Sequence, residues 1–518
     1  MSLRGALSQP ARYASAAAGA LPVLAFPGPG LAPLAWVALV PGLELMRRAG
    51  GPREAAVRGW WFGAGFILVA MVWLVPSVGP GLLVLAAVLG VLQAPLGAAV
   101  WWLLGPRVTV RRAVAALVVV PSVWLAAEFA RSWHALGGPW ALLGASQWEH
   151  PAVLALASVG GVWLVSAAVV AVNTGVLVVV STSRVGPRAV AAGTVAAVLL
   201  AGPVLFLLQA APEPDGSVTV ALVQAGQTPD EASRLEANIR FTGALSGPEP
   251  DLVVWGESST TADLDRDPAV LDRLRALSAA TGARLLVGED ARKADGRISK
   301  DAVLVTPDGV AARYRKIRLV PFGEYIPLRP LLGWVAGVSR AAGENRAPGT
   351  AVHPLPAVDR SGRPLPVGAL ICFESAFPDM SRQAAAEGAR VIVYQSATST
   401  FQDSWAPAQH ASLGAIRAAE TGRPVVQAAL TGESVAYDAQ GRRLARLGTD
   451  ARGSVTVVLA TVPAGELTWY DRLGDWVPLT AVAVTVLAAA AALRRTGRTA
   501  GGEPVPPPAA GASQRTGS

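Results

Sequence analysis

The chain has 518 residues, 52% of them hydrophobic and 15% charged. Soluble domains carry about 25% charged residues, so much of this chain is expected to lie in lipid. The formal net charge of +8 comes without a dense basic tract or a basic patch interleaved with aromatics, which excludes nucleic acid as a partner. One cysteine rules out an intramolecular disulfide. The four histidines (His134, His150, His353, His410) are scattered without zinc-ligand spacing, so no metal is expected.

In chain order, Arg4 and Arg12 precede an apolar, Ala-rich stretch. It reads as a retained first membrane helix, because no clean cleavage signal is evident and further spans follow. Apolar runs over 14–27, 31–46, 58–76, 80–104, 113–130, 152–181 and 189–209 mostly approach or exceed the ~20 residues that cross the hydrocarbon core. The first two are short and broken by Pro27-Gly28-Pro29-Gly30, the pattern of a tight hairpin or an interfacial pair. Arg47, Arg48, Arg53 and Arg58 fall between the second and third runs, Arg107, Arg111 and Arg112 between the fourth and fifth, and Arg184 and Arg188 between the sixth and seventh. Arginine-rich loops stay in the cytoplasm. With an eighth run at 475–493, ending in Arg494-Arg495-Thr496-Gly497-Arg498, the expected arrangement has eight transmembrane helices and both termini cytoplasmic. The expected division is a seven-helix membrane domain over 1–211, an extracytoplasmic domain over 212–470, a last helix over 471–495 and a disordered tail over 496–518.

Within the fifth connection, Trp124–His150 gathers Glu128, Arg131, Trp133, Trp140, Gln147 and Trp148 around Gly137-Gly138-Pro139. It reads either as an aromatic belt at the interface or as the lipid-facing wall of a site, since polar groups at membrane depth usually have a job.

From about residue 217 the character changes. Short β-rich runs (Val218–Val223, Leu252–Trp255, Arg284–Gly288, Ala302–Thr306, Val310–Tyr314) alternate with amphipathic stretches at Pro229–Ser246 and Pro268–Thr281. That alternation predicts an α/β domain of about 250 residues.

Three strand ends in this domain carry chemistry. In Leu252-Val253-Val254-Trp255-Gly256-Glu257-Ser258 a carboxylate follows an apolar strand and a glycine; Glu257 is a site residue or a helix-capping acid. Tyr314-Arg315-Lys316-Ile317-Arg318 runs into Leu319-Val320-Pro321-Phe322-Gly323-Glu324-Tyr325-Ile326-Pro327. Lys316 is one of three lysines, with Lys293 and Lys300, in a chain that prefers arginine. Either a compact ammonium is needed there or this is a solvated basic strand end. The apolar run Pro366-Val367-Gly368-Ala369-Leu370-Ile371 ends at Cys372, with Phe373-Glu374 next; a packed core thiol is the alternative to a nucleophile. Taken together, the three groups fit one chemistry. A thiol attacks as its thiolate and needs a base or cation nearby. Glu257 can take the proton, while Lys316 and the backbone N–H of Phe373 can hold an oxyanion.

Glu257, Lys316 and Cys372, in that order and in those settings, resemble the Glu-Lys-Cys triad of the nitrilase (carbon–nitrogen hydrolase) superfamily. An α/β domain of that kind between membrane spans is similar to the apolipoprotein N-acyltransferases. The resemblance covers about 10–495 and rests most on Lys316, Val320–Pro327 and Cys372-Phe373-Glu374. It implies an α-β-β-α sandwich with Glu257 as base, Lys316 as oxyanion stabiliser and Cys372 as nucleophile, supported by Glu324, Glu374 and Phe373. Pro139-Trp140 matches a membrane-region motif of the family, and Trp140 and Tyr325 are expected to contact substrate. The implied reaction transfers an acyl chain from a phospholipid donor through a cysteine thioester to the α-amine of a diacylglyceryl-modified apolipoprotein. It needs no cofactor and takes place at the bacterial cell membrane, in a monomer. A membrane-anchored amidase or nitrilase that uses water, and a non-catalytic lipid-binding paralogue, are the alternatives. The chain departs from the family at Gln224-Ala225-Gly226-Gln227, Gln395-Ser396-Ala397-Thr398 and Ala429-Leu430-Thr431-Gly432. Lys293→Ala is expected to be silent.

Overall fold

The computed structural model describes residues 10–105, 107–209, 213–334 and 343–500. Arg4 and most of the expected tail lie outside them, and the last helix, Trp476–Ala500, runs on into the tail's first residues. Among the described residues five helices are long and apolar enough to cross a membrane: Gly81–Leu104, Val110–Arg131, Ala157–Ser181, Val185–Leu208 and Trp476–Arg494. A sixth candidate is the pair Pro52–Ala70 and Val72–Val78, bent by 58°.

The first two expected spans are not continuous helices. They form a helix at Pro10–Ala20, 3-10 turns at Leu21–Ala25 and Ala32–Trp36, and a helix at Val40–Arg47. At 1.5 Å per residue an 11-residue helix reaches only about half the hydrocarbon thickness. Prolines at 22, 27, 29, 33 and 41 break the ladder, and buried side chains satisfy the backbone groups this exposes. Asn173 donates to the Ala35 carbonyl (2.8 Å) and accepts from the Leu39 N–H (2.9 Å). Gln147 donates to the Ala32 carbonyl at 3.0 Å. Irregular backbone survives at such depth only where protein groups take over its hydrogen bonds.

The helix Ala157–Ser181 is broken near its start, with Gly160 at φ −139° and Gly161 at φ +67°, ψ −175°. A Cβ on Gly161 would lie 2.7 Å from the Tyr470 ring. After the break the helix resumes at Val162, whose N–H donates to Glu420 Oε1 at 2.7 Å. Glu420 belongs to the α/β domain, so a carboxylate of one domain caps a helix of the other.

Among the described residues the α/β domain holds twelve strands: β1 Gly216–Gln224, β2 Leu252–Trp255, β3 Arg284–Arg292, β4 Ile298–Thr306, β5 Gly309–Arg315, β6 Leu355–Val358, β7 Pro364–Ile371, β8 Val391–Ser396, β9 Val425–Ala429, β10 Ser434–Tyr437, β11 Arg443–Leu447 and β12 Gly453–Thr461. They make two six-stranded sheets in the orders β12-β1-β2-β3-β4-β5 and β11-β10-β9-β8-β7-β6. At the centre of each, β1–β2–β3 and β7–β8–β9 run parallel. β2, β8 and β9 are buried at every residue, as parallel strands covered on both faces must be. Helices Glu231–Gly243 and Pro268–Thr281 pack Leu235, Leu274 and Leu277 against Val253, Trp255 and Leu285 of the first sheet. Helices Pro378–Ala386 and Ala406–Thr421 cover the second. The expected four-layer sandwich is present, and Leu252–Trp255 and Pro268–Thr281 begin and end where the sequence predicts.

Candidate active site

The parallel arrangement brings strand ends together. β2 ends two residues before Glu257, β5 one residue before Lys316, and β7 immediately before Cys372. Gly256 lets the first of these close on the opposite sheet: a Cβ there would sit 2.0 Å from the Leu430 nitrogen. Glu257 N–H then donates to the Ser396 carbonyl at 3.3 Å. Three non-glycine residues at or beside the cluster have left-handed backbones, Ser258 (φ +55°), Phe322 (φ +62°) and Cys372 (φ +50°). Such conformations cost about 1–3 kcal/mol each and persist only where the surroundings dictate them. At Cys372 the turn from β7 into the 3-10 segment Cys372–Ala376 projects the thiol from the strand end.

Lys316 is 1% exposed. Its Nζ donates to Glu257 Oε1 at 3.0 Å and to Glu324 Oε1 at 2.8 Å. Burial lowers its pKa, but the two carboxylates outweigh that and raise it well above the usual lysine range. An ammonium has three N–H donors; two are engaged here and one is left. Glu324 is itself fixed by the Val320 N–H, which donates to Oε2 at 2.8 Å.

Burial would raise the Glu257 pKa, but Lys300 and Lys316 overcome it and hold the carboxyl at about 2. The Cys372 thiol is near enough to that carboxylate to help hold its pKa down, and Cys372 Sγ lies 4.0 Å from the Ala397 carbonyl. Burial, reinforced by the Glu257 charge, pushes the thiol up to about 12 against the opposing Lys316. These directions favour a neutral thiol beside a carboxylate and an ammonium, so any attack by the thiol would require its proton to leave.

Glu374 does not face this cluster directly; it ties two parts of it together. Fully buried, its Oε1 accepts from the Tyr314 hydroxyl (2.9 Å), the Ile317 N–H (2.7 Å) and the Arg318 N–H (3.0 Å). Its Oε2 accepts from the Ile371 N–H at 2.8 Å. One carboxylate thus locks the lysine-bearing segment to the cysteine-bearing turn. Burial raises its pKa in spite of those donors.

Phe373 carries the contact with the membrane domain. Trp140 stacks on it with ring centroids 6.3 Å apart, and Trp73 meets Trp140 at 5.3 Å and Phe401 at 4.9 Å. His134 lies 6.2 Å from Phe373 and 5.7 Å from Tyr325. Its Nε2 is 2.6 Å from the Leu319 carbonyl. The Trp-rich segment is therefore placed against the cysteine turn, and Trp140 and Tyr325 both border it. Behind this wall the buried Glu128 and Arg131 hold the segment: Leu143 N–H donates to Glu128 Oε1 (2.7 Å), and Arg131 donates to the Trp140 and Ala141 carbonyls.

Two residues beside the site escape the sequence reading. Lys300 on β4 reaches Glu257 Oε1 at 3.2 Å; the rarity of lysine was the available signal, but nothing local says which sheet face it occupies. His410, buried in the helix Ala406–Thr421, pairs with Ser375 Oγ at 3.2 Å and sits 6.0 Å from Trp140. Lys293 lies apart, against Asp263 (3.1 Å), the fully buried Glu289, and Asp301 (3.8 Å). Removing it would take a cation from the buried Glu289, so the structure argues that Lys293→Ala costs stability even though Lys293 lies outside the cluster. The three departures line the seam between the sheets: Gln395 donates to the Trp255 and Leu286 carbonyls (2.9 and 3.0 Å), and Gln224 binds Ser434 and the Gly432 carbonyl.

Residues 18–175 match the family model of the apolipoprotein N-acyltransferase N-terminal domain, and residues 219–470 that of carbon–nitrogen hydrolases. The apolipoprotein N-acyltransferase of Geobacter metallireducens is 30% identical over 509 residues, covering 92% of this chain and 94% of its own. That of Pseudomonas aeruginosa is 30% identical over 501 residues, covering 92% and 95%. Among solved structures, a carbon–nitrogen hydrolase from Helicobacter pylori G27 aligns with 47% of this chain and 89% of its own, at 17% identity and a TM-score of 0.37.

Proposed function

This chain belongs to the apolipoprotein N-acyltransferase family, a membrane-associated acyltransferase that acts on lipoproteins, and we propose that it works through Cys372, Glu257 and Lys316. In the first half-reaction Glu257 takes the thiol proton as Cys372 Sγ attacks the ester carbonyl carbon of a phospholipid. The oxyanion is held by the unused Lys316 donor and the Phe373 N–H. As the C–O bond breaks, Glu257 returns the proton to the departing lysophospholipid oxygen, and a thioester remains on the enzyme. In the second, the α-amine of an S-diacylglyceryl-cysteine attacks the thioester, Glu257 takes a proton from the nitrogen and gives it to the leaving thiolate. Splitting the exchange this way replaces one hard step with two easier ones.

The observation that carries this reading is the placement of Trp140, from the membrane domain and backed by Trp73, against Phe373 beside Cys372. Such a wall lets an acyl chain reach the thiol without crossing water. We further infer that the catalytic domain, about 212–470, is extracytoplasmic, where diacylated lipoproteins and outer-leaflet phospholipids meet. With the bent pair Pro52–Ala70 and Val72–Val78 counted as one crossing, an odd number precedes the domain whether the broken first segments cross twice (eight in all) or return as a hairpin (six), and the arginine loops argue for a cytoplasmic N-terminus.

Intact-protein mass spectrometry after incubation with phospholipid tests the chemistry. A mass increase of one acyl chain that hydroxylamine removes is expected in wild type and not in Cys372→Ala. On adding a diacylated lipopeptide the chain should move to its amine. Release of free fatty acid instead would make the protein a hydrolase, and an adduct that survives Cys372→Ala would end the assignment of the nucleophile.

A further inference from the structure

Lys300 has a place in the cluster that the proposed three-residue mechanism leaves without a task. Its Nζ lies 2.8 Å from Ser258 Oγ, 3.1 Å from Asp290 Oδ2 and 3.2 Å from Glu257 Oε1. It donates a hydrogen bond to Ser258 and is ion-paired with both carboxylates, which ties it to Glu257 and the residues around it. Lys316 differs in donating hydrogen bonds to two carboxylates, Glu257 and Glu324. Both nevertheless bind the same carboxylate oxygen, Oε1 of Glu257. Both cations lie on Oε1, and among the described residues no hydrogen bond engages Oε2, which leaves that oxygen open to the proton of Cys372. The contact with Ser258 also pins the left-handed residue that follows Glu257.

Resting on the triad reading above, we propose that Lys300 is a positioning residue for Glu257: with Lys316 it fixes Oε1, leaves Oε2 to the thiol, and makes Glu257 a ready donor of the proton to the departing lysophospholipid oxygen. The charges around Glu257 make this a matter of balance. Lys316 and Lys300 face it from β5 and β4, Glu324 from the loop beyond Lys316, Asp290 from β3 with Arg346 behind it at 3.4 Å, Cys372 from the β7 turn, and His410 from the covering helix. Burial disfavours the Lys300 ammonium, but Glu257, Asp290 and Glu324 more than restore it. A carboxylate held by one cation would take the thiol proton readily and keep it. Held by two, it gives the proton back. The leaving group of a phospholipid is an alkoxide that needs that proton as the C–O bond breaks; a p-nitrophenolate leaves without one.

The test is therefore a comparison of two acyl donors with Lys300→Met in the full-length, detergent-solubilised protein. Acyl-enzyme formation from phospholipid is expected to fall about 10²-fold, and from a p-nitrophenyl acyl ester less than about tenfold. Lys300→Arg, which restores the charge, is expected to recover most of the phospholipid rate. An equal loss with both donors would show that Lys300 only holds the fold, and no loss with phospholipid would show that it does nothing; either overturns the proposal. Should Lys300→Met not fold, Lys300→Gln, which can still hydrogen-bond Ser258 and Asp290, is read the same way. Cys372→Ala run in parallel separates this from the triad itself: an acyl-enzyme that forms without Cys372 refutes the triad whatever Lys300 does.

Discussion

At Cys372 the protein holds the proposed nucleophile in an unfavourable backbone conformation and an unfavourable protonation state together. The φ of +50° is fixed from behind by Glu374, which binds the Ile371 N–H on one side and the Ile317 and Arg318 N–H groups on the other. The thiol is kept neutral chiefly by burial, with the negative Glu257 adding to it and Lys316 opposing. A thiol pushed up to about 12 is almost wholly protonated at neutral pH, which guards a lone cysteine against adventitious alkylation and oxidation. Alkylation of Cys372 by iodoacetamide is accordingly expected to be slow at pH 8 and to climb with pH through 10 without levelling. A plateau below pH 9 would mean a preformed thiolate and a different resting charge on the cluster.

The elements fall into those whose sequence states their geometry and those whose partners do. Leu252–Trp255 is an apolar run of strand length between turn residues, and its bounds coincide with β2; so do those of the helix Pro268–Thr281, opened by a proline and closed by Gly282. The meeting of Glu257, Lys316 and Cys372 was legible because each group follows a strand end and the three together fit one chemistry, although β2 and β5 belong to one sheet and β7 to the other. The role of Lys300 was not, since it lies mid-sheet on β4 and meets Glu257 only through the pairing of β3 with β4 and β4 with β5. Nor was the broken backbone of the first two membrane segments: apolar length cannot distinguish a crossing helix from short pieces whose carbonyls are claimed by Asn173 and Gln147, more than a hundred residues later. Because that region changes the count of crossings by two, it leaves the parity alone. In a Cys372→Ala background, a cysteine at the exposed Ser361 between β6 and β7 is expected to react with a membrane-impermeant maleimide in intact cells. One at Ser183, between the helices Ala157–Ser181 and Val185–Leu208, should react only after permeabilisation. The reverse pattern would invert the proposed orientation.

Across the whole molecule, acidic groups collect where the two domains join. Glu420 is pushed up to about 7 chiefly by burial, against the opposing Arg417, and Asp471 likewise to about 7 by burial against the opposing Thr468 donors. Tyr470 and Trp163 both donate to Asp475, at 2.9 and 3.0 Å, in the same seam. A carboxyl whose pKa is raised on folding binds its proton more tightly in the native state, so its contribution is full below pH ~4 and is lost as pH rises through 7. Each such group contributes a slope of at most about 1.4 kcal/mol per pH unit in that window. The melting temperature in detergent is expected to fall between pH 5 and 8, and Glu420→Gln, which keeps an acceptor for the Val162 N–H, should flatten the fall. A Glu420→Gln protein with the wild-type pH dependence would show that the seam does not titrate.

The cap on Val162 also bears on how such a protein can change over time. A soluble hydrolase of the same fold could not simply be exchanged for this α/β domain. Without a carboxylate at the position of Glu420, the resumed helix at Gly161–Val162 would begin with an orphaned donor, and the kink that admits Tyr470 would have no reason to stay open. The two halves of the chain therefore constrain each other's sequence at a point remote from the chemistry, and a graft would have to bring Glu420, Tyr470 and Gly161 along together.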